Sequence, residues 1–137
     1  MRVVLDTNVV ISGIFFPKSI PARVLQACFE KETFQVFATP DILKEYLKVI
    51  ERMCAHKAVP LKQDWNEILS EACHLIKDVR LPERISRDSA DDKFISCASL
   101  SGARHLITGD NDLLVLSQKF PFTIISPKDF LGLLNIS

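Results

Sequence analysis

Long apolar runs are missing from this 137-residue chain. None approaches the roughly 20 residues that a membrane-spanning helix needs. The opening Met1-Arg2-Val3-Val4-Leu5 meets an acid at Asp6, too soon for a signal peptide, whose apolar stretch runs about 7–15 residues. These absences predict a soluble, cytoplasmic protein with no membrane partner. Close cysteine pairs are missing too: Cys28, Cys54, Cys73 and Cys97 are scattered, with no C-x-x-C among them. Zinc sites and redox motifs use such pairs, and secreted disulfide frameworks usually occur in shorter chains. All four are expected as reduced thiols, with Cys28 and Cys97 packed as small apolar groups.

An excess of charge of either sign is also lacking, since 17 basic and 17 acidic residues cancel. A protein that binds nucleic acid through bulk charge should be basic, so composition lends no support to that partner. It does not oppose one, because a nuclease with an acid-rich site needs basic residues to offset it. Lys44, Lys48, Arg52, Lys57 and Lys62 outnumber the nearby Asp41, Glu45 and Glu51, a stretch that reads first as a solvated helix face. His56, His74 and His105 share no motif. Repeats, low-complexity tracts and domain-dividing linkers are absent as well. A single domain over residues 1–137 is the expectation, long enough to bury a core without staples.

What the chain does have is a hydrophobic content of 47%, arranged as alternating strand and helix patterns. Val3-Val4-Leu5 is a purely apolar run, as expected of a strand buried on both faces. Residues 19–30 form a helix by period, with Val24, Leu25, Cys28 and Phe29 on one side. Phe34 to Ala38 reads as a second strand. Thr39-Pro40 opens the next helix, because Thr caps and Pro suits the first helical position. Leu43, Tyr46, Leu47 and Ile50 give that helix its apolar face. Pro60 and Pro82 bracket a helix predicted over 63–76, with Trp65, Ile68, Leu69, Cys73 and Ile76 as its stripe. Residues 91–101 are helical by period, His105-Leu106-Ile107 is a strand, and Phe122 to Ile125 is the last strand. Ser126-Pro127 starts a closing helix. Such alternation predicts an α/β fold with a mostly parallel sheet covered on both faces, in which ligands bind beyond the carboxyl ends of the strands.

Several acids fall at that edge. Asp6 follows the first strand, with Asn8 two residues on, although an Asp in a turn often only bonds its own backbone. Asp91 has Phe94, Ile95 and Ala98 at i+3, i+4 and i+7, which aligns it with the buried stripe of its helix. A carboxylate there is costly unless something pairs with it, as a metal would. Asp92 points about 100° away and suits helix capping from Ser89, with Asp88 as a turn residue or an alternative cap. Asp91 is therefore preferred over Asp92. Thr108-Gly109-Asp110-Asn111-Asp112 follows the strand at 105–107, either as a plain turn or as a source of one or two ligands. Glu45 borders an apolar face, where spacing alone favours a surface pair with Lys48. Carboxylate and water ligands favour Mg²⁺ or Mn²⁺ over zinc, and an ion in an acidic pocket suits phosphodiester hydrolysis.

The segments Val3-Val4-Leu5-Asp6-Thr7-Asn8-Val9, Glu45, Asp91-Asp92-Lys93-Phe94-Ile95 and Leu106-Ile107-Thr108-Gly109-Asp110-Asn111-Asp112-Leu113 together resemble PIN domains. They are most similar to the VapC-like branch of ribonuclease toxins in toxin–antitoxin systems, and the resemblance runs along essentially the whole chain. It implies a three-layer αβα sandwich with a central parallel sheet, a site of three or four acids, and frequent homodimers. By position it implies Asp6, Glu45, Asp91 and Asp110 as catalytic acids. Asp6, Asp91, Asp110 and Asp112 are the implied ligands of Mg²⁺ or Mn²⁺, and Asn8 and Thr108 the supporting polar groups. The implied activity is metal-dependent cleavage of RNA, with an antitoxin protein as partner. The alternative is a catalytically silent PIN fold that binds RNA or protein. A haloacid-dehalogenase-type phosphatase would want a second Asp where Asn8 stands. A receiver domain would want a phosphorylatable Asp where Thr39-Pro40 follows the second strand.

Overall fold

The computed structural model describes residues 1–57, 63–78 and 91–134. Pro60, Lys62, Pro82, Asp88 and Ser89, each given a role in the sequence reading, lie outside the described residues. The elements run in the order β1 (Arg2–Leu5), α1 (Thr7–Phe15), α2 (Ile20–Glu30), β2 (Gln35–Ala38), α3 (Pro40–Lys57) and α4 (Trp65–Ala72), then β3 (His74–Leu75), α5 (Asp92–Ser101), β4 (His105–Ile107), α6 (Asn111–Leu114), β5 (Thr123–Ile125) and α7 (Pro127–Leu133). The five strands form one sheet in the order β3-β2-β1-β4-β5, and every pairing is parallel.

The alternation of side chains along a strand explains the layering. Val3, Val4 and Leu5 are all buried, as are His105, Leu106 and Ile107. Successive residues point to opposite faces of a sheet, so both faces of β1 and β4 are covered, and the architecture is a three-layer α/β fold. On the helical layers α1, α2 and α7 pack together, α3 packs on α1, and α5 lies over β1, β2 and β4. Among the described residues no helix is long and apolar enough to cross a membrane.

Local chemistry accounts for most boundaries. The Ser19 and Ser126 hydroxyls accept from the backbone N–H of Ala22 and Asp129, each beside a proline in the first helical turn. Thr39 Oγ1 accepts from Ile42 N–H at 3.2 Å, the cap expected of Thr39-Pro40. Gly102 ends α5 in the left-handed region at φ 69°, where a side chain would be strained. Cys28, Cys73 and Cys97 are buried free thiols, and burial pushes each up to about 12; Cys54 is a partly buried free thiol.

Three elements depart from the sequence expectation. The helix predicted over 63–76 stops at Ala72, and His74–Leu75 instead forms an edge strand on β2, with Phe37↔His74 and Ala38↔Leu75 in register. Cys73 and Ile76 continue the apolar spacing past the true helix end, so the period hides the switch. Backbone pairing overrides it, and Ile76 N–H donates to Ala38 carbonyl at 2.9 Å. The second departure is α1, a helix over residues to which periodicity assigns no element. Thr7, Val9, Val10, Ile11, Gly13 and Ile14 are all buried, and a helix enclosed on nearly all sides shows no apolar stripe. The third is α6, a single turn in a segment rich in turn formers.

Two predictions follow from this packing. A Cβ on Gly13 would lie 2.5 Å from Leu25 Cδ1 and 3.0 Å from Pro21 carbonyl. Gly13→Ala should therefore lower the urea midpoint, with an overpacking cost of about 1–3 kcal/mol. His105, 7% exposed, packs edge-on against Phe130 at 5.6 Å, and burial, aided by the Arg104 charge, lowers its pKa. The unfolded chain then binds this proton at higher pH than the folded one. Stability should fall as pH drops below the ordinary histidine value of about 6.5. Urea midpoints compared at pH 7.5 and 5.5 should show a smaller acid loss in His105→Gln than in the parent. An equal loss in the two proteins would count against the buried histidine as its source.

Candidate active site

The strand order places the reversal of chain direction between β1 and β4: the chain steps outward from β1 to β2 and β3, then returns to β4 on the other side. A crevice beyond the carboxyl ends of the strands at such a switch point is the usual ligand position in open α/β sheets. Asp6 leaves β1 there, and Thr108 and Asp110 leave β4. The ladder Val3↔His105, Val4↔Leu106 and Leu5↔Ile107 continues into Asp6 N–H donating to Ile107 carbonyl at 2.9 Å.

Asp6 is 4% exposed and starts α1. Thr108, with no exposed surface, donates its hydroxyl proton to Asp6 Oδ2 at 2.6 Å and accepts the N–H of Asp110 at 3.0 Å. One hydroxyl thus ties the end of β1 to the loop after β4. Burial pushes the Asp6 carboxyl above its ordinary value; the Thr108 and Thr7 hydrogen bonds oppose this, and the charges of Asp110 and Glu45 add to it. Asp110 and Glu45 therefore act on Asp6 through space, from the N-cap of α6 and from α3. Asp110 also caps α6, accepting from Asp112 N–H at 2.9 Å. Its turn role and its place beside Asp6 coexist.

Glu45 is not on the solvated face expected from its spacing to Lys48. Its carboxylate receives the Thr7 hydroxyl on Oε2 and the Lys93 ammonium on Oε1, the latter at 2.6 Å. Lys48 is exposed. The correction has a simple cause: Glu45 meets α1 and α5 across the fold, and tertiary neighbours outrank a helical i+3 partner. The next residue, Tyr46, is fully buried and donates its hydroxyl proton to the Leu5 carbonyl, which fixes this turn of α3 against the end of β1.

Asp91 stands at the start of α5 with 9% exposure, while Asp92 is half-buried. Its burial follows the stripe of Phe94, Ile95 and Ala98, all buried. Its side chain does not cap the helix. Asp112 is half-buried on α6, and Asn8 is exposed in the first turn of α1. The sequence reading overlooked Thr7 and Lys93 as partners of Glu45. Both stand inside the quoted motifs, but nothing in spacing along one element links them to a residue on α3.

The polar side chains gathered around Asp6 offer carboxylate and hydroxyl oxygens, the donors that hard dications prefer. Among the described residues, no three His, Cys, Asp or Glu side chains converge closely enough to form a protein-only metal cage.

Comparison with known proteins agrees with this architecture. The fold is similar to the crystal structure of PAE2754 from Pyrobaculum aerophilum, with a TM-score of 0.61 and 16% identity, over all of this chain and 91% of that one. It is also similar to VapBC2 from Rickettsia felis bound to a DNA fragment from their promoter, with a TM-score of 0.58 and 14% identity, over 92% of this chain and 98% of that one. An uncharacterized protein of Methanocaldococcus jannaschii, MJ1680, is 31% identical over 144 aligned positions that span 96% of this chain and 90% of the relative. The PIN-domain family profile matches residues 2–112. With that match over most of its length, and with this sheet and acidic edge, the chain belongs to the PIN-domain family.

Proposed function

We propose that this chain, acting as one domain over residues 1–137, is a metal-dependent endoribonuclease and the toxin component of a toxin–antitoxin pair. The observation that carries the proposal is the juxtaposition of Asp6 and Asp110 through Thr108 at the switch point, with the charge of Glu45 acting on the same carboxyl. A buried carboxylate, Asp6, set beside the half-buried acids Asp110 and Glu45 is costly, and a cation that offsets them gives the arrangement a purpose. The donor set fits Mg²⁺ or Mn²⁺. Mg²⁺ in particular is usually held by one or two carboxylates with retained waters and substrate phosphate, not by an all-protein cage. In this reading Asp6, Asp91, Asp110 and Asp112 would hold the ion. When bound, it supplies Lewis acidity to a phosphodiester and lowers the pKa of water.

The residues of the chain do the remaining work. Thr108 orients Asp6 by its hydroxyl. Thr7 and Lys93 fix the two oxygens of Glu45, which orients the attacking water. No acid acts as the nucleophile. Asn8, exposed in the first turn of α1, is a supporting polar group in this reading. The fold shared with a VapBC structure supports an antitoxin protein as partner, and a homodimer in the cytoplasm is the assembly and place expected for this branch of the family.

The test is cleavage of a mixed set of structured RNAs with Mn²⁺, with Mg²⁺ and with EDTA. Cutting should require metal. Asp6→Asn and Asp91→Asn should each lose more than the roughly 10–100-fold that outer contacts to a metal site typically contribute, with the circular-dichroism spectrum unchanged. Folded, metal-loaded protein that cuts none of these RNAs would favour a silent binding module.

A second outcome concerns stability. The raised Asp6 pKa means that the folded state disfavours the carboxylate, so this group withdraws stability as pH rises through its shifted value. Asp6→Asn should therefore show, at pH 7.5, a urea midpoint equal to or above that of the parent. A clearly lower midpoint would make Asp6 a structural residue.

A further inference from the structure

Lys93 is a cation that the structure brings into direct contact with Glu45 of this site. Its Nζ lies 2.6 Å from Glu45 Oε1 and 3.8 Å from Asp41 Oδ2. Its side chain is 25% exposed, against 31% for Glu45, so the pair is neither deeply buried nor free in water. A pair at this depth is less screened than one on the open surface. Its partner oxygen is chosen: Thr7 holds Oε2 and leaves Oε1 to the ammonium. The two donors come from α1 and α5, on opposite sides of the chain, and together they leave the carboxylate little rotational freedom. Asp41, the weaker partner, has its own backbone N–H held by Asp78 Oδ1 at 3.2 Å, which anchors the start of α3 where the ammonium reaches it.

The geometry points to Lys93 as a positioning residue that acts through Glu45, and as a resident positive charge that weakens the hold of the acidic edge on a divalent cation. The inference rests on the nuclease reading for its catalytic half and stands apart from it for its binding half. Fixing Glu45 orients water for attack. Placing a fixed positive charge beside Glu45, a carboxylate that acts on Asp6, lowers the affinity of the site for a second cation, so ion occupancy stays reversible. Removing the charge should therefore move the two properties in opposite directions, which loss of structure would not do.

The test uses the full chain, three single variants and one double variant. Lys93→Met keeps an unbranched apolar side chain and removes the charge on Nζ, which lies 5.7 Å from the Phe94 ring centroid. Lys93→Arg keeps the charge, and Glu45→Gln removes the residue through which Lys93 acts. Mn²⁺ binding is read by calorimetry and by the electron paramagnetic resonance of the free ion. Lys93→Met should bind Mn²⁺ roughly three- to tenfold more tightly, the scale of a charge interaction across a partly solvated gap. Its kcat on RNA should fall by about 10–100-fold with KM within about twofold of the parent. Lys93→Arg should restore the parent Mn²⁺ affinity and most of kcat. In the Glu45→Gln background, Lys93→Met should cost little further kcat, the non-additivity of residues that act as one unit.

Mn²⁺ affinity unchanged in Lys93→Met would overturn the inference even if RNA is cut. A loss that appears in KM, or one that persists undiminished without Glu45, would overturn it in favour of direct contact with the substrate. Tighter Mn²⁺ binding by Lys93→Met in a protein that cuts no RNA would uphold the charge effect and sink the nuclease reading alone.

Discussion

The pairing of β1 with β4, closed at its end by the Thr108 hydroxyl, is the constraint on which the acidic edge depends. Residues about a hundred positions apart in sequence are brought into parallel register, and the last backbone bond of that ladder is the Asp6 N–H to Ile107 carbonyl. Thr108 then spans the gap between side chain and loop, donating to Asp6 and receiving Asp110. With no exposed surface, its hydroxyl cannot trade these partners for water, so breaking the link would leave a buried polar group unsatisfied. Asp6 therefore has a defined direction although nothing in β1 itself imposes one.

The same edge is where the fold sets charge against burial. Val3, Val4, Leu5, Leu106 and Ile107 are fully buried, and the carboxyl of Asp6 follows directly on this apolar floor. Its pKa rises because burial disfavours the anion, and the neighbouring acids add to that. The surrounding structure compensates through specific donors: Thr108 for Asp6, and Thr7 and Lys93 for Glu45. Tyr46, donating to the Leu5 carbonyl from the next position on α3, locks the helix that carries Glu45 to the strand that carries Asp6. Core packing and site geometry are thus joined at one pair of adjacent residues, one facing the core and one facing the acids.

The sequence is least informative where an element lacks a contrast between its two sides. The helix α1 is buried almost all round, so its residues offer no stripe, and α6 is one turn built from residues that also make loops. At His74–Leu75 a helical period runs on into a two-residue edge strand, because Cys73 and Ile76 are apolar for reasons unrelated to helix. Strand pairing at this edge is a long-range contact with β2, and no local pattern records it. Glu45 shows the same limit in the site: its near neighbour Lys48 is visible in the sequence, whereas Lys93, its actual partner, stands 48 positions away.

By itself the sequence determined the succession of most strands and helices, the parallel topology, the burial of Asp91 and the placement of Asp6 and Asp110 at strand ends. Each of these follows from local periodicity, from capping chemistry or from the rules that govern βα connections. The tertiary structure alone decided which polar groups meet: Thr108 with Asp6, Thr7 and Lys93 with Glu45, and Tyr46 with the end of β1. Those contacts join residues from different elements, and their geometry depends on strand register and helix packing. A periodic pattern can tell which side of an element faces inward, but not what it will find there.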